Sequence, residues 1–243
     1  MPKPRTGFPS MTMKADTVLF TATNQVQLAD AVAALHIKVT PRHLGRKSWQ
    51  VEQWAIHQLL QALPMRRYSF PVMLTRTERP DFILSLGGCT VGIEHTEAVS
   101  HVEAKIDVEQ GKLSAASGEL LVPRLLDART PHDEPISRLD AQTYQGIGTP
   151  FVGDEYGQNW LAAMSHFVTL KVQKFAKYQS CDRRAVLVYD NWSLPGLETA
   201  ECAPLLHGWL TASRTFSNVD EVFILRHDAV LDATRDSLEI LPL

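Results

Sequence analysis

Gly87-Gly88 separates two runs with strand character, residues 81–86 (DFILSL) and 90–99 (TVGIEHTEAV). A two-glycine step supplies the backbone angles of a tight hairpin, so the runs read as antiparallel neighbours in one sheet. That pairing decides which side chains meet. Asp81 opens the first run and Glu94 lies at about the matching depth in the second, which brings two carboxylates together. Strand side chains alternate, so Glu94 and Thr96 share a face while His95 and Glu97 point the other way.

Neighbouring carboxylates repel unless positive charge stands between them. A divalent cation with hard oxygen ligands meets that need, with the His95 backbone carbonyl as a natural further ligand.

The rest of the chain gives the pair a scaffold. Residues 24–36 are apolar at Val26, Leu28, Val32 and Leu35, a helical pattern that Pro41 interrupts. Ser48 is placed to cap a second helix, which runs to about Leu63 and is ended by Pro64. Residues 68–75 read as a short strand, and 77–80 as the turn before Asp81. Residues 127–158, with three prolines and four glycines, read as a loop-rich insertion, and a short helix is expected near 102–112. Helical periodicity returns over 159–178, followed by a strand at 185–190, a helix at 205–212 and a strand at 222–226. A meander followed by α/β crossovers predicts a mixed sheet with helices on both faces. Residues 1–13 read as a flexible leader and 14–243 as a single α/β domain.

Two helices carry a charge where an apolar residue belongs. On 159–178, at about 100° per residue, Met164, Phe167, Val168, Val172, Phe175 and Tyr178 form a stripe with Lys171 at its middle. Lys174 falls at its edge. A lysine there either snorkels past its neighbours to water or meets a carboxylate. The second alternative takes Lys171 to Asp81 and Glu94, with Lys174 in reserve. On the helix from Ser48, Ala55, Ile56, Leu59 and Leu63 mark the buried side, and Glu52 lies inside that arc. It either joins the acidic pair or takes a surface arginine.

Pro80-Asp81 followed across the turn by Glu94-x-Thr96 resembles the PD-(D/E)xK nuclease superfamily, the restriction-endonuclease-like fold. The order of elements over residues 48–190 is similar to its αβββαβ core. The resemblance implies that Asp81 and Glu94 bind Mg2+, with an acid from the first core helix, here Glu52, joining them. It also implies cleavage of phosphodiester bonds in nucleic acid, DNA being the expected substrate, and pairing of two copies as a homodimer to cut two strands. Thr96 stands where the motif lysine belongs. Within the superfamily that lysine can move to another element, which points to Lys171. The alternative is a catalytically inactive member acting as a nucleic-acid- or protein-binding module. The missing lysine and a formal net charge of −3 favour it.

Other chemistries lack their signatures. Cys89, Cys181 and Cys202 give no CxxC, and the nine histidines give no HExxH, so zinc catalysis is not expected. Free thiols suit a reducing cytoplasm, the expected location. No GxxxxGK[ST] is present, and no serine lies in a nucleophile elbow. No apolar run approaches the roughly 18 residues that span a membrane. Lys3 and Arg5 precede no apolar stretch, so no secretory signal is expected. Basic clusters at 42–47 and at Arg66-Arg67 bracket the helix that starts at Ser48, as a local patch for phosphate or as a solvated face.

Overall fold

The computed structural model describes residues 16–99, 104, 108, 155–175, 178, 181–192 and 197–243. Among them are eight strands in one sheet and four α-helices. In chain order these are β1 (Thr17–Ala22), α1 (Gln25–Ala34), α2 (Ser48–Ala62), β2 (Val72–Arg76), β3 (Phe82–Leu86) and β4 (Cys89–Ala98). There follow α3 (Glu155–Phe175), β5 (Arg183–Asp190), α4 (Thr199–Ala212), β6 (Glu221–Leu225), β7 (Ala229–Thr234) and β8 (Leu238–Pro242).

Strand order in the sheet follows the sequence. β1 to β4 are antiparallel, β4-β5-β6 are parallel, and β6 to β8 are antiparallel again. The two parallel steps coincide with α3 and α4, because a parallel neighbour needs a crossover. α1 and α2 cover one face, over a core that includes Ile56, Leu59, Leu74, Phe82, Ile93 and Leu187. α3 and α4 cover the other, with Trp160, Met164, Val168, Val186, Leu206 and Ile224. β4, β5 and β6 are buried on both faces, and VLV in β5 and VFIL in β6 are the continuous apolar runs such a position selects.

The mixed α/β sheet with helices on both faces is as expected, and the hairpin forms where Gly87-Gly88 predicts it. Both glycines have positive φ, 59° and 101°, and a Cβ on Gly87 would meet the Ser69 Cβ at 2.9 Å. Several boundaries differ. Lys47, not Ser48, is the N-cap residue of α2. α3 begins at Glu155, so the last residues of the expected insertion are helical, and it ends before Tyr178. α4 starts six residues earlier than expected, at Thr199, with Pro204 accommodated inside it. β1, β7 and β8 were not expected at all. β1 and β8 are edge strands with mixed burial, which leaves little apolar periodicity to read. The expected helix near 102–112 and the insertion before Glu155 lie outside the described residues, Ala104 and Val108 excepted. So does the leader at 1–13.

Two polar arrangements fix the geometry at the carboxyl end of the parallel strands. The Arg226 guanidinium, just past β6, binds Asp190 at 2.7 Å, and also Thr199 Oγ1 and the Leu197 carbonyl. Trp160 Nε1 on α3 donates to the same Asp190 oxygen. This buried pair ties β5, β6, α3 and α4 together. One residue on, Asn191 donates to Glu97 of β4 at 2.7 Å.

Candidate active site

The β3–β4 ladder stops at the Phe82–Ile93 pair. Beyond it the Asp81 side chain continues the pairing: Oδ2 accepts the His95 backbone N–H at 2.7 Å. The carboxylate is thereby pinned beside β4, next to Glu94. Val91 and Ile93 belong to the α1/α2 core and Ala98 to the α3/α4 core, so alternation turns Glu94 toward α3.

There it meets Lys171. Nζ lies 2.7 Å from Glu94 Oε1, with the two side chains 15% and 4% exposed. Tyr178, past the end of α3, donates its hydroxyl to the same oxygen at 3.1 Å. Oε2 is buried and has no partner among the described residues. Glu94 therefore has one satisfied oxygen and one with unused acceptor capacity.

Burial, and then the Glu94 charge, push the Asp81 carboxyl up to about 7, against a downward pull from Lys171 and the His95 N–H. Glu52 adds a smaller upward push. The environment thus holds this acid near neutrality and disfavours a second negative charge beside Glu94. His95 points its ring to the opposite face, 5% exposed. Burial first, and the Lys171 ammonium second, lower it to about 3, so the imidazole is neutral. Burial and the Glu94 carboxylate raise the Tyr178 phenol well above its ordinary value, which keeps it a donor.

The other expected residues divide. Lys171 does not snorkel free; it reaches Glu94. Lys174 is exposed. Thr96 shares the Glu94 face and lines a neighbouring cavity, where a hydroxyl cannot supply the missing cation. Glu52 binds Arg76 at 2.6 Å, so its alternative of an arginine partner is the one realised. It does not pair with Lys171. Glu97 accepts Arg42, Arg46 and Asn191, and this brings the first basic cluster onto β4 rather than into solvent. Tyr178 was assigned only to the apolar stripe. Its signal was its position seven residues after Lys171, where a polar-tipped ring can reach what the lysine reaches.

Hard-oxygen donors are the chemistry Mg2+ or Mn2+ selects. A spare Glu94 oxygen beside an acid kept near neutrality is where a dication would relieve repulsion. Among the described residues no three His, Cys, Asp or Glu side chains stand ready around one point. A two-carboxylate site fits Mg2+, which keeps several of its waters.

The chain matches no protein-family model, no curated protein and no solved structure.

Proposed function

We propose that the chain is a metal-dependent nuclease that cleaves phosphodiester bonds in nucleic acid, DNA being the first substrate to try. The observation that carries this reading is the convergence of Asp81, Glu94 and Lys171 from three separate elements. A lysine buried on an acidic pair beside a hairpin is the set of charges such a site needs, and α3 supplies the lysine that position 96 lacks.

Asp81 and Glu94 would hold the ion, with Glu52 adding negative potential from beyond its Arg76 partner. The bound cation supplies Lewis acidity and lowers the pKa of a water. Lys171 is already placed to offer an N–H donor and positive charge where charge develops on a phosphate. Tyr178 holds the Glu94 carboxylate in orientation. The neutral His95 imidazole adds no charge, while its backbone N–H fixes Asp81. Alanine at Asp81 or Glu94 should abolish Mg2+-dependent cleavage while the circular dichroism spectrum stays that of the wild type. Undiminished cleavage in both variants would sink the mechanism.

One observation favours a second reading, an inactive binding module of the same fold. The Lys171 ammonium already neutralises Glu94, which is what a cation would do. Calorimetric titration with Mn2+ separates the two. The nuclease reading expects saturable binding that disappears in Glu94→Gln, and the inactive module expects none.

A further inference from the structure

Gly92 lies inside β4, in a run where every other position carries a side chain. Glycine in a strand interior costs backbone entropy and packs nothing, so its presence there asks for a cause. Unlike Gly87 and Gly88, it has no positive φ to supply one. The cause is close approach. A Cβ on Gly92 would meet Cys181 Sγ at 2.8 Å, Pro80 Cγ at 3.1 Å and Cys181 Cβ at 3.4 Å. Pro80 belongs to the turn before β3, and Cys181 stands two residues before β5. Two loops therefore close over one residue of β4 and fill the space of its missing side chain.

This closure adjoins the acidic pair. Gly92 and Glu94 are two apart on one strand and share a face, and Pro80 is bonded directly to Asp81. The turn is held at its other end by Thr77, whose N–H donates to the Asp81 carbonyl at 3.0 Å and whose hydroxyl donates to the Pro80 carbonyl. The Asp81 side chain accepts the His95 N–H at 2.7 Å. Residues 80 and 81 are thus fixed by Thr77, by the His95 N–H and by the buried Pro80 ring against Gly92. The two neighbours of Gly92 differ in how they can yield. A cysteine thiol turns away about χ1, whereas the proline ring has no other rotamer to adopt. A methyl group at position 92 therefore presses on Pro80, and through it on Asp81.

We propose that Gly92 is a positioning residue of the acidic pair: its lack of a side chain lets Pro80 lie against β4, which seats the Asp81 carboxylate on the His95 N–H beside Glu94. Mg2+ demands near-ideal geometry from its ligands, so a small displacement of one carboxylate weakens the site. This deepens the nuclease reading and rests on it for the ion, though not for the seating of Asp81. A glycine needed for packing alone would lower stability when replaced and leave the Asp81–His95 hydrogen bond as it is.

The test takes the full chain with Gly92→Ala and reads two quantities, the hydrogen-exchange protection of the His95 amide in EDTA and the affinity for Mn2+ by calorimetry. His95 protection should fall about tenfold, the size of one hydrogen bond, while the amides of the β3–β4 ladder keep theirs. Mn2+ should bind about tenfold weaker, as when the support of a metal ligand is removed. Cys181→Ala alone leaves Pro80 in place and should change neither quantity. Where Gly92→Ala by itself does not fold, the double variant with Cys181→Ala removes the 2.8 Å contact, keeps the one with Pro80, and carries the same expectations. Unchanged His95 protection, unchanged Mn2+ affinity in a chain that binds the ion, or protection lost evenly along the ladder would overturn the proposal. So would a double variant that does not fold, since Gly92 would then serve the fold rather than Asp81. Selective loss at His95 in a chain whose wild type binds no Mn2+ would support the positioning role and remove the nuclease reading.

Discussion

Lys171 Nζ lies 2.7 Å from Glu94 Oε1 and joins the C-terminal part of α3 to a strand residue 77 positions earlier in the chain. Removing one partner of such a pair costs more than the pair contributes, because the remaining charge is left in a dry site. Lys171→Met should destabilise the fold by about 3–5 kcal/mol in urea denaturation at about pH 8. Equal stability of variant and wild type would mean that the pair does not form.

Asp81 makes the opposite contribution. In the folded chain it holds its proton up to about 7, against an ordinary 3.8. Between those values the folded state carries a proton that the unfolded state has lost, so stability falls as pH rises through that window. Asp81→Asn removes the penalty and keeps an acceptor for the His95 N–H. It should be more stable than metal-free wild type by about 1–3 kcal/mol at about pH 8, and equal to it below about pH 4. His95, neutral down to about 3, loses stability as pH falls below its ordinary 6.5. That contribution is present in both proteins and cancels in the comparison. A variant less stable than wild type at about pH 8 would contradict the assignment.

The hairpin and the lysine were legible for the same reason: each breaks a local pattern in a way only one geometry repairs. Gly87-Gly88 demands a tight turn, and Lys171 in an apolar stripe demands an anion. Glu52 broke its pattern too, but the sequence could not say which cation answers it, because Arg76 lies on a strand whose register was unknown. Glu97 read only as a side chain on the face opposite Glu94. Its arginines come from a cluster that carries no periodicity of its own. β7 and β8 were missed although Val230, Leu231 and Ala233 are buried. Asp232, itself buried, interrupts that run and is rescued by Arg67, which lies far away in sequence.

Tyr178 and Lys171 share one acceptor, so their contributions should not add. Tyr178→Phe alone should cost about 1 kcal/mol, the size of one hydrogen bond. In the Lys171→Met background the same change should cost more, because the phenol is then the only side-chain donor left to Glu94 among the described residues. A double-mutant cycle in urea measures this, and simple additivity would argue against the shared acceptor.

The Arg226–Asp190 pair is a structural peg rather than part of the chemistry. Arg226→Met should cost about 3–5 kcal/mol by stranding Asp190, and Arg226→Met with Asp190→Asn should recover part of that loss. Thermal melts of the single and double variants report the recovery. A double variant no more stable than the single one would show that packing, not charge, is what Arg226 supplies.

The most direct measurement is the rate of Mn2+-supported cleavage of DNA against pH, in wild type and in Glu94→Gln. Protons compete with the metal at Asp81, so the wild-type rate should rise through about pH 7 and then level, with none in EDTA. Glu94→Gln should stay at background throughout. A wild-type rate at background at every pH, or a Glu94→Gln rate equal to wild type, would contradict a metal-dependent nuclease built on Asp81, Glu94 and Lys171.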